Sequence, residues 1–250
     1  MRFWKWHALG NSYLVVEEGM AAELARRLCD VRYGIGSDGV VEVVAANGAQ
    51  AEIVIWNPDG SVAEFSGNGS RIAAAWLGAR AQATQVTIGV SGRSYPAAIR
   101  DDGTVAMGVG EVDVGEIETI ELGEERIELS AVSVGNPHAV VRLDASRDDL
   151  LRLGPLIERH ERFPERTNVQ LVRVDGENQL SVLVWERGAG ETSASGSSAV
   201  AAAAAAVANG WCESPVTVRM PGGELRVELD GERITLVGPA EEICEGELRA

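Results

Sequence analysis

Lysine is almost missing from this chain of 250 residues. Lys5 stands alone, in a short apolar segment near the start, and every other basic residue is arginine. A pyridoxal phosphate enzyme needs a lysine for its Schiff base, and Lys5 is poorly placed for one, so that chemistry is not expected. Cysteine is scarce as well. Cys29, Cys212 and Cys244 lie far apart with no CxxC, which indicates neither a disulfide framework nor a zinc knuckle. His7, His138 and His160 lack metal-ligand spacing, so each reads as a packed or hydrogen-bonded side chain. Neither a metal nor another cofactor is expected.

Long apolar runs are absent too. The longest, Ala199 to Ala208, is too short to span a bilayer, and no apolar stretch follows a basic start, so neither membrane nor signal peptide is expected. The expected location is the cytoplasm. A net charge of −16 and a pI near 4.6 argue against binding a phosphate backbone, so no nucleic-acid partner is expected. The stretch "GIGSDG" (Gly34 to Gly39) fits G-x-G-x-x-G but follows a helix-like run and precedes a strand-like one. A dinucleotide fingerprint needs the reverse order. No serine sits in G-x-S-x-G, so a hydrolase elbow is unsupported.

What the chain does have is a repeat. "VIWNPDGSVAEFSGNGSRIAAA" from Val54 aligns without a gap on "LVWERGAGETSASGSSAVAAAA" from Leu183, placing Trp56 on Trp185, Ser66 on Ser195 and Gly67 on Gly196. "VTIGVSG" from Val86 matches "VTVRMPG" from Val216, and "ALGNSYLVV" from Ala8 matches "SVGNPHAVV" from Ser133. The spacing is nearly constant, about half the chain, so the chain is two homologous halves.

Val- and Ile-rich runs predict strands over Glu52–Trp56, Val86–Val90, Thr104–Gly108, Ala131–Val134, Ala139–Leu143, Leu180–Trp185, Val216–Met220 and Arg233–Val237. Helices are predicted over Met20–Cys29, Gly67–Gly78, Asp148–His160 with a break at Gly154-Pro155, and Gly196–Ala208. A helix apolar on all sides must be surrounded. The expected fold is α+β: two pseudo-symmetric domains, each a curved, mostly antiparallel sheet wrapped around a central apolar helix, with an active-site cleft between them. The boundaries are residues 1–115, with a strand over 240–250 returning to that half, and 116–239.

In each half a strand ends in tryptophan, a polar turn follows, and a small-residue loop enters the central helix. Helix N-termini present unpaired N–H groups and a partial positive charge, which suit an anion. Two such ends with a side chain each suit proton removal from one face of a carbon and return to the other. Ser66 and Ser195 also read as plain N-caps, although glycine directly after each favours close backbone approach.

"HALGNSY", "NPDGS", "GNG", "GNPH", "ERFPERTNV", "WERGAGET" and "PGG" occur in that order from His7 to Gly223. Together they resemble diaminopimelate epimerase over essentially the whole chain. The resemblance implies a cofactor-independent interconversion of LL- and meso-diaminopimelate by two acid–base groups, in lysine and peptidoglycan biosynthesis. It implies a substrate carboxylate held at Gly67, Asn68, Gly196 and Ser197. The distal amino-acid end would lie at Asn57, Asn168, Glu186 and Arg187, with Asn11 and Asn136 as further cleft residues. It also implies domain closure on binding and a homodimer.

In that family the acid and base are two cysteines, and here their positions hold Ser66 and Ser195. A thiol at a helix N-terminus falls to about 3.5–7.5, whereas a hydroxyl starts far higher and stays protonated. The expectation is a folded chain with little or no turnover. Symmetric loss of both thiols beside intact ligand positions reads as a deliberate Cys→Ser form of an active epimerase; a natural homologue without thiols is the other reading. That homologue would be a binding module, or an isomerase for another substrate such as histidine with a different acid–base group, for which Glu64 and Asp59 are near in sequence. Ser12 replaces an acidic residue common in the motif.

Overall fold

The computed structural model describes residues 1–17 and 19–248. The chain divides into two compact units, Met1–Gly108 with Val237–Ala250, and Val109–Leu236. Arg249 and Ala250, the last positions of the strand expected over 240–250, lie outside the described residues.

In the first unit the strands run, by pairing, Glu241–Glu247, Arg2–Ala8, Asn11–Val16, Val40–Asn47, Gln50–Trp56, Gln85–Val90, Arg93–Ile99 and Thr104–Gly108. All neighbours are antiparallel except Asn11–Val16 with Val40–Asn47 and Gln50–Trp56 with Gln85–Val90. The second unit repeats this order and sense: Asp113–Leu122, Glu125–Ser133, Pro137–Arg142, Asn168–Gly176, Gln179–Glu186, Val216–Met220 and Gly223–Asp230, with parallel pairs at the same two places. Asp113–Leu122 thus fills the place that Glu241–Glu247 fills in the first unit. The mostly antiparallel, two-domain α+β fold expected from the sequence is the fold observed.

Four helices are present among the described residues: α1 (Ala22–Cys29), α2 (Gly67–Ala81), α3 (Arg147–Glu158) and α4 (Gly196–Ala208). α2 and α4 are the central helices, and their small residues let the surrounding strands come close. In α4 every residue from Ser198 to Ala206 is buried, so strands approach it on all sides. α2 carries larger side chains among its alanines. Ile72, Trp76 and Leu77 fill a core with Trp4, Ile55, Ile88, Met107 and their neighbours, and Trp76 meets Trp4 edge-on at 5.4 Å between centroids.

The break expected in α3 at Gly154-Pro155 is absent, and the helix runs through Pro155. Gly154 is there for packing: a Cβ at that position would meet the Trp185 ring at 2.7 Å. Pro155 lacks the N–H that would donate to the Leu151 carbonyl, and Leu151 is exposed. Cys29 and Cys212 are buried and Cys244 is exposed, all as free thiols. Among the described residues no helix is long and apolar enough to cross a membrane, and no cluster of His, Cys, Asp and Glu could hold a metal.

Candidate active site

In the first unit the strand Gln50–Trp56 delivers its last residue to a turn closed by Asn57 N to Ser61 O at 2.8 Å. Asn57 Nδ2 donates to Ser61 Oγ at 2.9 Å, and that hydroxyl donates to Asp59 at 2.6 Å. Gly60, at φ +81°, sits where a Cβ would strike the Ala22 carbonyl at 2.6 Å. The Trp56 indole donates to buried Glu42 at 2.8 Å. The chain then pairs briefly back on the strand through Val62 and Ala63 and enters α2.

Ser66 is the N-cap of α2, in extended backbone. Its Oγ accepts from Gly69 N at 3.1 Å and lies 3.1 Å from the Tyr13 hydroxyl. Tyr13 is positioned by the GIGSDG loop, whose Gly39 leaves no room for a Cβ, which would stand 2.4 Å from the tyrosine ring. Asp38 of that loop accepts from both the backbone and the hydroxyl of Ser12, at 2.7 and 3.0 Å. Asn68 Nδ2 donates to Asn11 Oδ1 at 3.1 Å, which brings two expected site residues together.

In the second unit the strand Gln179–Glu186 ends on the turn that carries Glu186 and Arg187. Two side chains hold this turn. Asn168 accepts from Arg187 N at 3.0 Å and donates to the Pro137 carbonyl at 3.0 Å. Buried Glu158 accepts from Gly188 N at 3.0 Å and from the Trp185 indole at 2.8 Å, with Arg166 at 3.5 Å. Burial works to raise the Glu158 carboxyl, but these donors and nearby Arg159 outweigh it and hold its pKa below the usual range. The repeated tryptophans thus each bind a carboxylate, from Glu42 in one unit and Glu158 in the other. Ion pairing anchors the same turn region: Arg147 forks onto Glu191.

Ser195 takes the N-cap position of α4 yet makes no capping bond with its side chain, unlike Ser66. It lies against Glu186. Burial pushes the Glu186 carboxyl up, and the Ser195 hydroxyl pulls it part of the way back. Buried Ser198, Gln170 and His138 and half-buried Asn136 form a chain with links of 3.0, 3.0 and 2.9 Å. Burial lowers the His138 pKa to about 3, with help from the Arg187 charge and against the opposing bond from Gln170. The imidazole is neutral at every ordinary pH.

The first unit holds Asn11, Asn57, Ser66, Gly67 and Asn68, with Asn68 bonded to Asn11; the second holds Asn136, Asn168, Glu186, Arg187, Ser195, Gly196 and Ser197, with Asn168 bonded to Arg187 N and Ser195 beside Glu186. The alternative carboxylates are placed otherwise. Asp59 is a turn carboxylate held below the usual range by Ser61, and Glu64 is exposed. Sequence reasoning passed over Tyr13, Glu158 and Gln170. The repeat carried a signal for one of them, since it places Tyr13 on His138.

Comparison with known proteins bears on both sets of residues. The sequence model of the family described as diaminopimelate epimerase matches residues 3–115 and 130–243. The chain belongs to the diaminopimelate epimerase family. Diaminopimelate epimerase 2 of Nostoc sp. is 36% identical over 272 residues, covering 99% of this chain and 95% of that protein. The diaminopimelate epimerase of Alkalilimnicola ehrlichii is 38% identical over 275 residues, covering 100% and 99%. The fold recurs at much lower identity. A hydroxyproline epimerase from Agrobacterium vitis, solved with trans-4-hydroxy-L-proline, superposes with a TM-score of 0.75 at 17% identity over 98% of this chain and 91% of that one. A phenazine biosynthesis protein of the PhzF family from Bacillus anthracis gives 0.75 at 15%, over 100% and 99%. Family membership places this chain among epimerases, a family with small-molecule substrates.

Proposed function

We propose that this chain binds diaminopimelate as the family does, and that Ser66 and Ser195, at its acid–base positions, leave it with little or no epimerase turnover. The observation that carries the reading is the serine at the N-cap position of the central helix in both units, each with a glycine after it and a site group beside it. The family reaction removes the α-proton of LL-diaminopimelate and returns a proton to the opposite face, giving the meso form. The first step needs a group that is partly deprotonated near neutral pH, and the second a protonated group that gives up its proton there. A serine hydroxyl is neither, whereas a thiol at the same helix end can be either.

A second reading has one observation in its favour. The Glu186 carboxyl is raised by burial, and it lies against Ser195. A carboxylate with a raised pKa is a competent base, so a slow isomerase that uses Glu186 is the alternative to a silent binder. Of the distal residues, Arg187 can fork onto a carboxylate and Glu186 can receive an ammonium, which favours diaminopimelate over a smaller amino acid.

Isothermal titration with LL-diaminopimelate, histidine and glutamate tests the substrate. Heat with diaminopimelate alone is the expected result. Heat with histidine and none with diaminopimelate would overturn the substrate assignment and leave the fold standing.

A further inference from the structure

Arg71, one turn into α2, is the group that neither packing nor capping accounts for. Its side chain is completely buried. Burial alone shifts it, down to about 10, so it stays protonated at neutral pH. It has no carboxylate partner among the described residues. NH1 donates to the Gly67 carbonyl at 3.1 Å, NH2 donates to Asn68 Oδ1 at 2.7 Å, and Nε has no partner. A buried cation with no counter-ion is expensive.

The repeat supplies an internal control. The same position in α4 is Val200, also fully buried, so a central helix of this fold accepts an apolar residue there. The charge serves something other than packing. A guanidinium can only donate, which fixes the direction of every link beyond it. Asn68 must turn Oδ1 toward Arg71 and therefore Nδ2 toward Asn11 Oδ1. Asn11 is left with its amide nitrogen, a donor, as its free group.

We infer that Arg71 is a positioning residue for the substrate carboxylate: through Asn68 it locks Asn11 as a donor and leaves the start of α2 with a positive charge that the bound carboxylate neutralises. The inference rests on the proposed binding of diaminopimelate, with its carboxylate at Gly67 and Asn68 as the family resemblance implies. In the second unit Ser197 stands in the place of Asn68 and Val200 in that of Arg71, so no such relay exists there.

The test uses Arg71→Met and Arg71→Lys in the full chain, with three readouts. These are melting temperature without ligand, side-chain amide resonances of the asparagines by nitrogen-15 NMR, and titration with LL-diaminopimelate. Arg71→Met is expected to melt no lower than the parent, because an unpaired buried charge is gone. It should move the Asn68 and Asn11 amides while leaving Asn136 in place, and weaken binding by roughly tenfold or more. Arg71→Lys should fall between, keeping the charge and losing the fork. A lowered melting temperature, or failure to fold, would show a packing role and overturn the inference. So would unmoved Asn11 amides or unchanged affinity. A parent that binds no diaminopimelate, with Asn11 still responding to Arg71→Met, would sink the substrate reading while supporting the relay.

Discussion

The hydroxyl oxygens of Tyr13 and Ser66 lie 3.1 Å apart at the start of α2, with Gly69 N donating to the same serine. A thiolate at position 66 would inherit both donors. The thiol introduced by Ser66→Cys should therefore titrate well below the ordinary thiol value of ~8.5. Adding Tyr13→Phe should raise it again. The pH dependence of alkylation by iodoacetamide reads both, and a thiol at position 66 that titrates near the ordinary value would contradict the proposed site.

Glu186 carries a pH signature. Its carboxyl is raised by burial, so the fold prefers the protonated form. That contribution is fully present below the ordinary carboxylate range, ~4.3, and is lost as pH rises through the raised value. Glutamine copies the protonated form. Glu186→Gln should raise the melting temperature at pH 8 and give no gain at pH 4, as calorimetry at both would show. An equal gain at both values would assign the effect to something other than ionisation.

Glu158 has the opposite sign. Its pKa is held down, so it contributes stability above the ordinary carboxylate range and loses it as pH falls through the lowered value. Glu158→Gln should cost roughly 1–3 kcal/mol at pH 7, the range for a buried group deprived of charged hydrogen bonds. The cost should shrink in acid. Because this carboxylate holds Gly188 N beside Arg187, the variant should also weaken ligand binding; denaturant melts and titration calorimetry together check the pair of effects.

Ser146→Ala supplies the matching control. Ser146 and Asp149 form a reciprocal capping box on α3, and among the described residues the Ser146 side chain bonds only within that box. The substitution should cost about 1 kcal/mol and leave affinity unchanged. A loss of affinity would mean that stability alone governs binding, and the Glu158 result would then lose its meaning.

How much of this was written in the sequence depends on range. The strands Thr104–Gly108 and Val216–Met220 and the helix Gly196–Ala208 have the bounds that their local patterns predict, because apolar runs between turn residues report burial directly. Glu241–Glu247 has no buried residue and an acidic sequence; its strand state comes from pairing with Arg2–Ala8 at the far end of the chain. Gly154 looked like a helix break, but the Trp185 ring that requires it lies on a distant strand. The repeat pairs both serines, both asparagines and both helix ends by sequence position. It could not show that Ser66 caps while Ser195 faces Glu186, since this difference depends on partners outside the repeat motif. Arg71 was visible only as a polar residue in an alanine-rich helix until its complete burial was known.

The central claim is that Ser66 and Ser195 silence an otherwise assembled epimerase site. The most direct measurement is exchange of the α-proton of LL-diaminopimelate in deuterated water, followed by NMR, for this chain beside its Ser66→Cys/Ser195→Cys double variant. Each lost acid–base partner costs about 10²–10⁴ in rate, and two that act as a unit need not multiply. The account predicts exchange by the double variant and almost none by the chain as it stands. Rapid exchange by the unchanged chain would contradict it and hand the proton to another residue, with Glu186 first in line.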